Sequence, residues 1–181
     1  MQTPYPLTPP IWLQALARCD RWLYYAERAI CVGALLLMLL ATMVNVAIRN
    51  LQLNWPNYGE LGLAALVPLT LIGAAMCTYL GSHIAIEIMQ VVPSKTLRRI
   101  AELVVAIATI AFTGFYFYSG LVLIEEFRLT NDKLLDMGTP LWLLAVCFPI
   151  GMLLMCWHSL VRIVVVVFAL CASEPVMEAA R

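Results

Sequence analysis

The stretch Leu103–Ile124, LVVAIATIAFTGFYFYSGLVLI, contains no Asp, Glu, Lys or Arg. A helix needs about 20 apolar residues to cross a hydrocarbon core of roughly 30 Å, and this segment has that length. Three other stretches share the property: Ile30–Ile48, Leu61–Ser82 and Met137–Val161. Lipid offers no partner to an exposed backbone amide, so a spanning segment must be a helix or part of a closed barrel. None of the four shows the period-two alternation of barrel strands. Composition agrees, because 63% of the 181 residues are hydrophobic and 12% are charged, well outside the range of soluble domains. The expected fold is an all-α integral membrane protein with four transmembrane helices.

Charge distribution predicts how these helices sit. With the N-terminus inside, the inner segments carry Arg18, Arg21, Arg28, Lys95, Arg98, Arg99, Arg162 and Arg181, and the outer loops carry only Arg49, Arg128 and Lys133. That asymmetry obeys the positive-inside rule and predicts both termini in the cytoplasm. Trp12, Trp22 and Trp157 fall near the inner interface, and Trp55 and Trp142 near the outer one, as in an aromatic belt. Residues 1–10 hold four prolines and no basic cluster, so the first span is expected to be retained rather than cleaved as a signal peptide. Net charge is zero with no basic patch, which excludes a nucleic-acid partner.

Two amphipathic segments are expected along the inner surface. Ile11–Tyr25 places Ile11, Leu16, Cys19, Trp22 and Leu23 largely on one face, with Arg18, Asp20 and Arg21 as polar groups. Ile84, Ile88 and Val91 alternate with Glu87 and Gln90 ahead of Pro93; an ordinary loop fits either segment too. The predicted organisation is a cytoplasmic segment over 1–29, a four-helix membrane domain over 30–165 and a cytoplasmic tail over 166–181 that can continue the fourth helix. Between the spans, Asn54–Gly59 is a turn. Ser94 suits a cap for the helix leading into the third span, and Thr139 and Pro140 suit the start of the fourth.

The spans carry little chemistry. Ionisable residues at membrane depth mark transport pathways, and between the four sets of boundaries only His158 is such a residue. A haem would need facing axial ligands, and His83 and His158 are the only histidines. The spacing of His83 and Glu87 brings two groups to one helix face, which does not define a metal site. The six cysteines show no paired spacing and read as buried small hydrophobes. No catalytic, cofactor or metal residue is expected.

Packing and contact residues stand out instead. Gly73, Cys77 and Gly81 recur every four residues, beside Thr70, Ala74 and Thr78. Such stripes let a second helix approach closely, within the bundle or from another protein. Pro68 and Pro149 are candidate kinks. Arg49 and Glu60 bracket the first hairpin and are expected to pair at the outer interface.

In order and spacing these residues resemble the small membrane subunit of tripartite ATP-independent periplasmic (TRAP) transporters. The resemblance runs over about residues 25–165. It is carried by Val46-Ala47-Ile48-Arg49, by Trp55 and Glu60, and by Gly81-Ser82-His83-Ile84-Ala85-Ile86-Glu87. Val92-Pro93, Thr139-Pro140-Leu141-Trp142 and Pro149-Ile150-Gly151-Met152-Leu153-Leu154-Met155 continue it. Asn50 and Glu87 depart from the pattern, where an aromatic residue and Asp are common. The resemblance implies a non-catalytic subunit in a bacterial inner membrane, without cofactor. Its implied partners are a large multi-span subunit with substrate and sodium sites, a periplasmic solute-binding protein and membrane lipid. The implied activity is sodium-gradient symport of a carboxylate-bearing solute. A four-helix redox or haem protein, or an accessory subunit of an unrelated membrane complex, are the competing readings.

Overall fold

The structure, a computed structural model, describes residues 11–55, 57–81 and 95–171. Its helices are α1 (Ile11–Asn50), α2 (Gly59–Leu80), α3 (Lys95–Thr130), α4 (Leu141–Ala145) and α5 (Cys147–Cys171). Among the described residues four helical stretches are long and apolar enough to cross a membrane, α4 and α5 together making the last. Ser94, His83, Glu87 and the amphipathic segment around Ile84–Val91 lie outside the described residues.

The first helix is longer than its apolar run. The amphipathic stretch over 11–25 and the span over 30–48 join without a break into 40 residues, about 60 Å of helix at about 1.5 Å per residue. Its buried residues explain the continuity. Leu13, Asp20, Glu27, Ala34, Ala41 and Ile48 are all buried, and each follows the last by seven positions. A seven-residue repeat keeps one seam of a helix against its neighbours along its whole length. Trp12 meets Phe168 edge to face at 6.2 Å, so α1 still runs beside the end of α5 at its first turn.

Helices α2 and α5 form the centre, α1 lies on α2, and α3 lies on α5. Burial follows that order: the most apolar stretch is 11% buried in α3 and 17% in α1, against 28% in α2 and 39% in α5. Lipid is as apolar as a leucine side chain, so helices associate through close packing and polar contacts rather than through the hydrophobic effect. The core accordingly gathers Ala75, Met152 and Met155, with Leu71, Phe117 and Phe148 around them. At its middle Gly151 faces the Leu71 backbone and side chain so closely that a Cβ there would stand 2.9 Å from Leu71 Cβ. Gly73 differs: a Cβ there would meet nothing within 4 Å, and Cys77 beside it is exposed. Thr70 and Thr78 turn their hydroxyls to the carbonyls of the preceding turn, which satisfies them within their own helix.

Chain reversals follow local chemistry. Gln52 takes a left-handed conformation, and the N–H groups of Gln52 and Leu53 return to Arg49 O and Ile48 O, a Schellman ending for α1. Asn57 accepts the Gly59 N–H at 2.9 Å as α2 begins. Gly81, also left-handed, closes α2. Pro149 has no N–H for the carbonyl four residues back, and the helix breaks there, between Ala145 and Cys147; Pro68 sits within an unbroken α2.

Two expectations at the turns need correction. Thr139 does not cap α4: its side chain makes no cap bond, Pro140 itself occupies the N-cap position, and the Thr139 carbonyl instead accepts the Leu134 N–H. Arg49 and Glu60 do not pair. The Glu60 carboxylate accepts the backbone N–H of Asp136 at 3.0 and 3.1 Å and of Met137 at 3.1 Å. Backbone donors in a tight loop hold a carboxylate in fixed geometry, whereas a long, exposed arginine loses side-chain entropy to pair.

Glu60→Ala is expected to release this loop, raising amide hydrogen exchange at Asp136 and Met137 while α1 and α2 keep their protection. Gly151→Leu is expected to cost about 1–3 kcal/mol through overpacking, and Gly73→Ala to stay within about 0.5 kcal/mol; reversible unfolding in detergent measures both.

Candidate functional site

The N-terminal half of α1 places its charges on two sides. Arg18, Arg21 and Arg28 are exposed, whereas Asp20 and Glu27 are 7% and 1% exposed. The two acids are seven residues apart and so share the buried seam. What meets them is His158, from the middle of α5 and itself 2% exposed. Its Nδ1 is 2.7 Å from Asp20 Oδ1 and its Nε2 is 2.9 Å from Glu27 Oε1.

Proton bookkeeping follows from this geometry. A neutral imidazole has one N–H and one lone pair, and an ionised carboxylate only accepts. Two bonds therefore require two protons: an imidazolium between two carboxylates, or a neutral ring between one carboxylate and one carboxylic acid. Both descriptions leave one net negative charge on the cluster. Glu27 Oε2 has no hydrogen-bond partner among the described residues, nor has Ser159 Oγ.

Aromatic rings brace the histidine. Tyr79 of α2 meets His158 in a T-shaped contact at 5.4 Å, and Tyr24 stacks on Tyr79 at 4.5 Å. One helix, α1, thus supplies both acids and a ring, α2 the second ring, and α5 the imidazole. A cavity of about 240 Å³ opens beside them, lined by Asp20, Thr78, Tyr79, Glu102, His158 and Arg162 among others. Arg162 lies one turn beyond His158, and its guanidinium covers Gly81 and donates to Thr78 O at 3.4 Å. Its guanidinium shares the cavity wall with Asp20 and His158.

Such an arrangement can hold protons and tie helices. Both ring nitrogens of His158 are engaged, and among the described residues no group of three His, Cys, Asp or Glu side chains could hold a metal ion. Most of the described packing and contact residues singled out by sequence lie elsewhere. Arg49 lines a cavity of about 510 Å³ at the far end of α1, with Asn45, Gln52, Asn54, Trp55 and Asn57. Glu60 fixes the loop before α4, Gly81 caps α2 under Arg162, Gly151 and Pro149 shape α5, and Gly73 faces away from the bundle. The structure brings Gly81 to the edge of the His158 site and leaves Arg49, Glu60, Gly73, Pro149 and Gly151 apart from it.

Asp20 and Glu27 carried a signal in the sequence. They continue the seven-residue series of Ala34, Ala41 and Ile48 backwards past Ile30, where the apolar run stops. A boundary drawn by hydropathy conceals that register.

Replacing His158 by Ala leaves two buried carboxylates without their partner, and the expected cost is about 3–5 kcal/mol. Asp20→Leu, Glu27→Met and His158→Leu together remove every charge and are expected to return stability close to that of the parent chain. Chemical unfolding in detergent distinguishes the two variants.

Comparison with known proteins places this helical architecture. No curated protein matches the chain. Residues 38–169 match the family described as "Tripartite ATP-independent periplasmic transporters, DctQ component". The matched region contains Arg49, Glu60, Gly151 and His158 and begins after Asp20 and Glu27. Since it spans well over half of the 181 residues, the chain belongs to the DctQ family, the small membrane component of tripartite ATP-independent periplasmic transporters.

Proposed function

We propose that this chain is a static, non-catalytic subunit that binds a large multi-span transport subunit side by side and widens its footing in a bacterial inner membrane. The larger subunit carries the substrate and sodium sites, and a periplasmic solute-binding protein delivers a carboxylate-bearing solute to it. Both termini of the chain face the cytoplasm, on the charge asymmetry of its arginines and lysines.

The observation that carries this reading is how the helices divide their surface. Two of them, α1 and α3, turn wide apolar faces outward, with Leu36, Leu40 and Met43 exposed on α1 and Val104, Phe115 and Tyr118 on α3. The buried ionisable groups among the described residues, Asp20, Glu27 and His158, are closed into one network rather than strung along a path. A moving transport subunit needs a support that does not deform, and a polar tie between the first and last helices favours rigidity.

The redox reading gains nothing from His158. Both of its ring nitrogens already face carboxylates, so an axial bond to iron would first have to break one of these contacts.

Reconstitution tests the proposal. In liposomes the chain alone is expected to give no sodium-driven uptake, and together with its large subunit and binding protein it supports uptake. It is also expected to co-purify with that large subunit in mild detergent. Uptake by the isolated chain would overturn the proposal.

A further inference from the structure

The same partition that buries Asp20 and Glu27 leaves Arg18, Arg21 and Arg28 without an acid on their own face of α1. At about 100° per residue, Arg18, Arg21, Trp22, Tyr25 and Arg28 fall within one face about 120° wide, on the far side of the helix from the buried seam. The three arginines are exposed, Trp22 is 76% exposed and Tyr25 53%. Positions three and four residues from each arginine hold Gln14, Ala15, Arg21, Trp22, Ala17, Arg18, Tyr24, Tyr25, Cys31 or Val32, none of them acidic, so no ion pair along the helix can form. Among the described residues, no acid from another helix makes an ion pair with them.

We infer that this face of α1 binds the headgroups of anionic phospholipids. Charge and depth both select that occupant. Three uncompensated guanidiniums offer forked donors that match phosphate oxygens. The interleaved Trp22 and Tyr25 are residues that settle at the headgroup level, with an apolar ring body and a polar tip. Trp12 and Trp157, exposed at the same end of the bundle, mark that level independently. An apolar lipid-facing stretch begins directly beyond Arg28, with Ile30, Val32, Leu35 and Leu36 exposed, where the acyl chains of a bound lipid would lie. His158 is the indirect cause. By drawing both carboxylates of this segment to the buried side, it leaves an outer face that is wholly basic and aromatic.

The test uses the full chain in bilayers of phosphatidylcholine with a minority of phosphatidylglycerol, extracted in mild detergent, with retained lipids identified by native mass spectrometry. Phosphatidylglycerol is expected to be retained well above its share of the bilayer. Each basic residue near a membrane surface is worth about 1 kcal/mol toward anionic lipid, so Arg18→Gln, Arg21→Gln and Arg28→Gln together should weaken retention about 100-fold. Arg49→Gln, at the opposite end of α1, should leave it unchanged, and unfolding curves confirm that each variant is folded. Retention in proportion to bilayer composition, or an undiminished preference in the triple variant, would overturn the inference. So would cross-linking of Arg21→Cys to an acidic surface of the large subunit in the assembled complex, with no phosphatidylglycerol retained there. Because lipid retention is read on this chain by itself, failure here is distinguishable from failure of the proposed transport role.

Discussion

His158 stands between two carboxylates, 2.7 Å from Asp20 and 2.9 Å from Glu27, and all three residues are buried. Each of the three groups alone would be costly to bury, and together they offset one another's desolvation. The cluster joins α1 to α5, the first long helix to the last. Those two helices otherwise meet sparingly, because α2 lies between them along most of their length. The course of α1 beyond its apolar run depends on this contact and on Trp12 against Phe168.

A buried ion pair is a weak source of stability but a strong source of register. The seam of α1 is made mostly of small or apolar residues, and small side chains allow several nearly equal positions of one helix along another. Two acids that must both reach one imidazole allow a single one. Slippage of α1 by one residue would turn Asp20 and Glu27 about 100° away from His158 and strand three polar groups. The stacked pair Tyr24 and Tyr79 adds a second fixed distance between α1 and α2 at the same level.

The other end of the bundle is held by one carboxylate and one guanidinium. Glu60 gathers the N–H groups of Asp136 and Met137, and Arg128 lies 4.7 Å over the ring of Trp142, so the loop between α3 and α4 is fastened on both sides. Between the two ends, Gly151 against Leu71 sets how closely α5 approaches α2. Polar ties at each end and close packing at the centre hold together this member of the DctQ family.

Much of this protein was legible in its residues. Charge-free runs such as Leu103–Ile124 determine that helices cross a membrane, since no other element of that length satisfies its backbone in lipid. The run from Val46 to Arg49 and the Pro149–Met155 segment carried the family. Hydropathy averages over every face of a helix, however, and so it ended the first span near Ile30, where charges appear, although the acids among them, Asp20 and Glu27, sit on a buried seam. Whether an acid points inward or outward depends on what a distant segment offers it. Only the tertiary structure could decide that Glu60 meets a backbone loop instead of Arg49, and that Asp20 and Glu27, separated from His158 by more than a hundred residues, share its two nitrogens. Local sequence sets where charge lies along the chain; the partners that make its burial affordable are chosen when the helices pack.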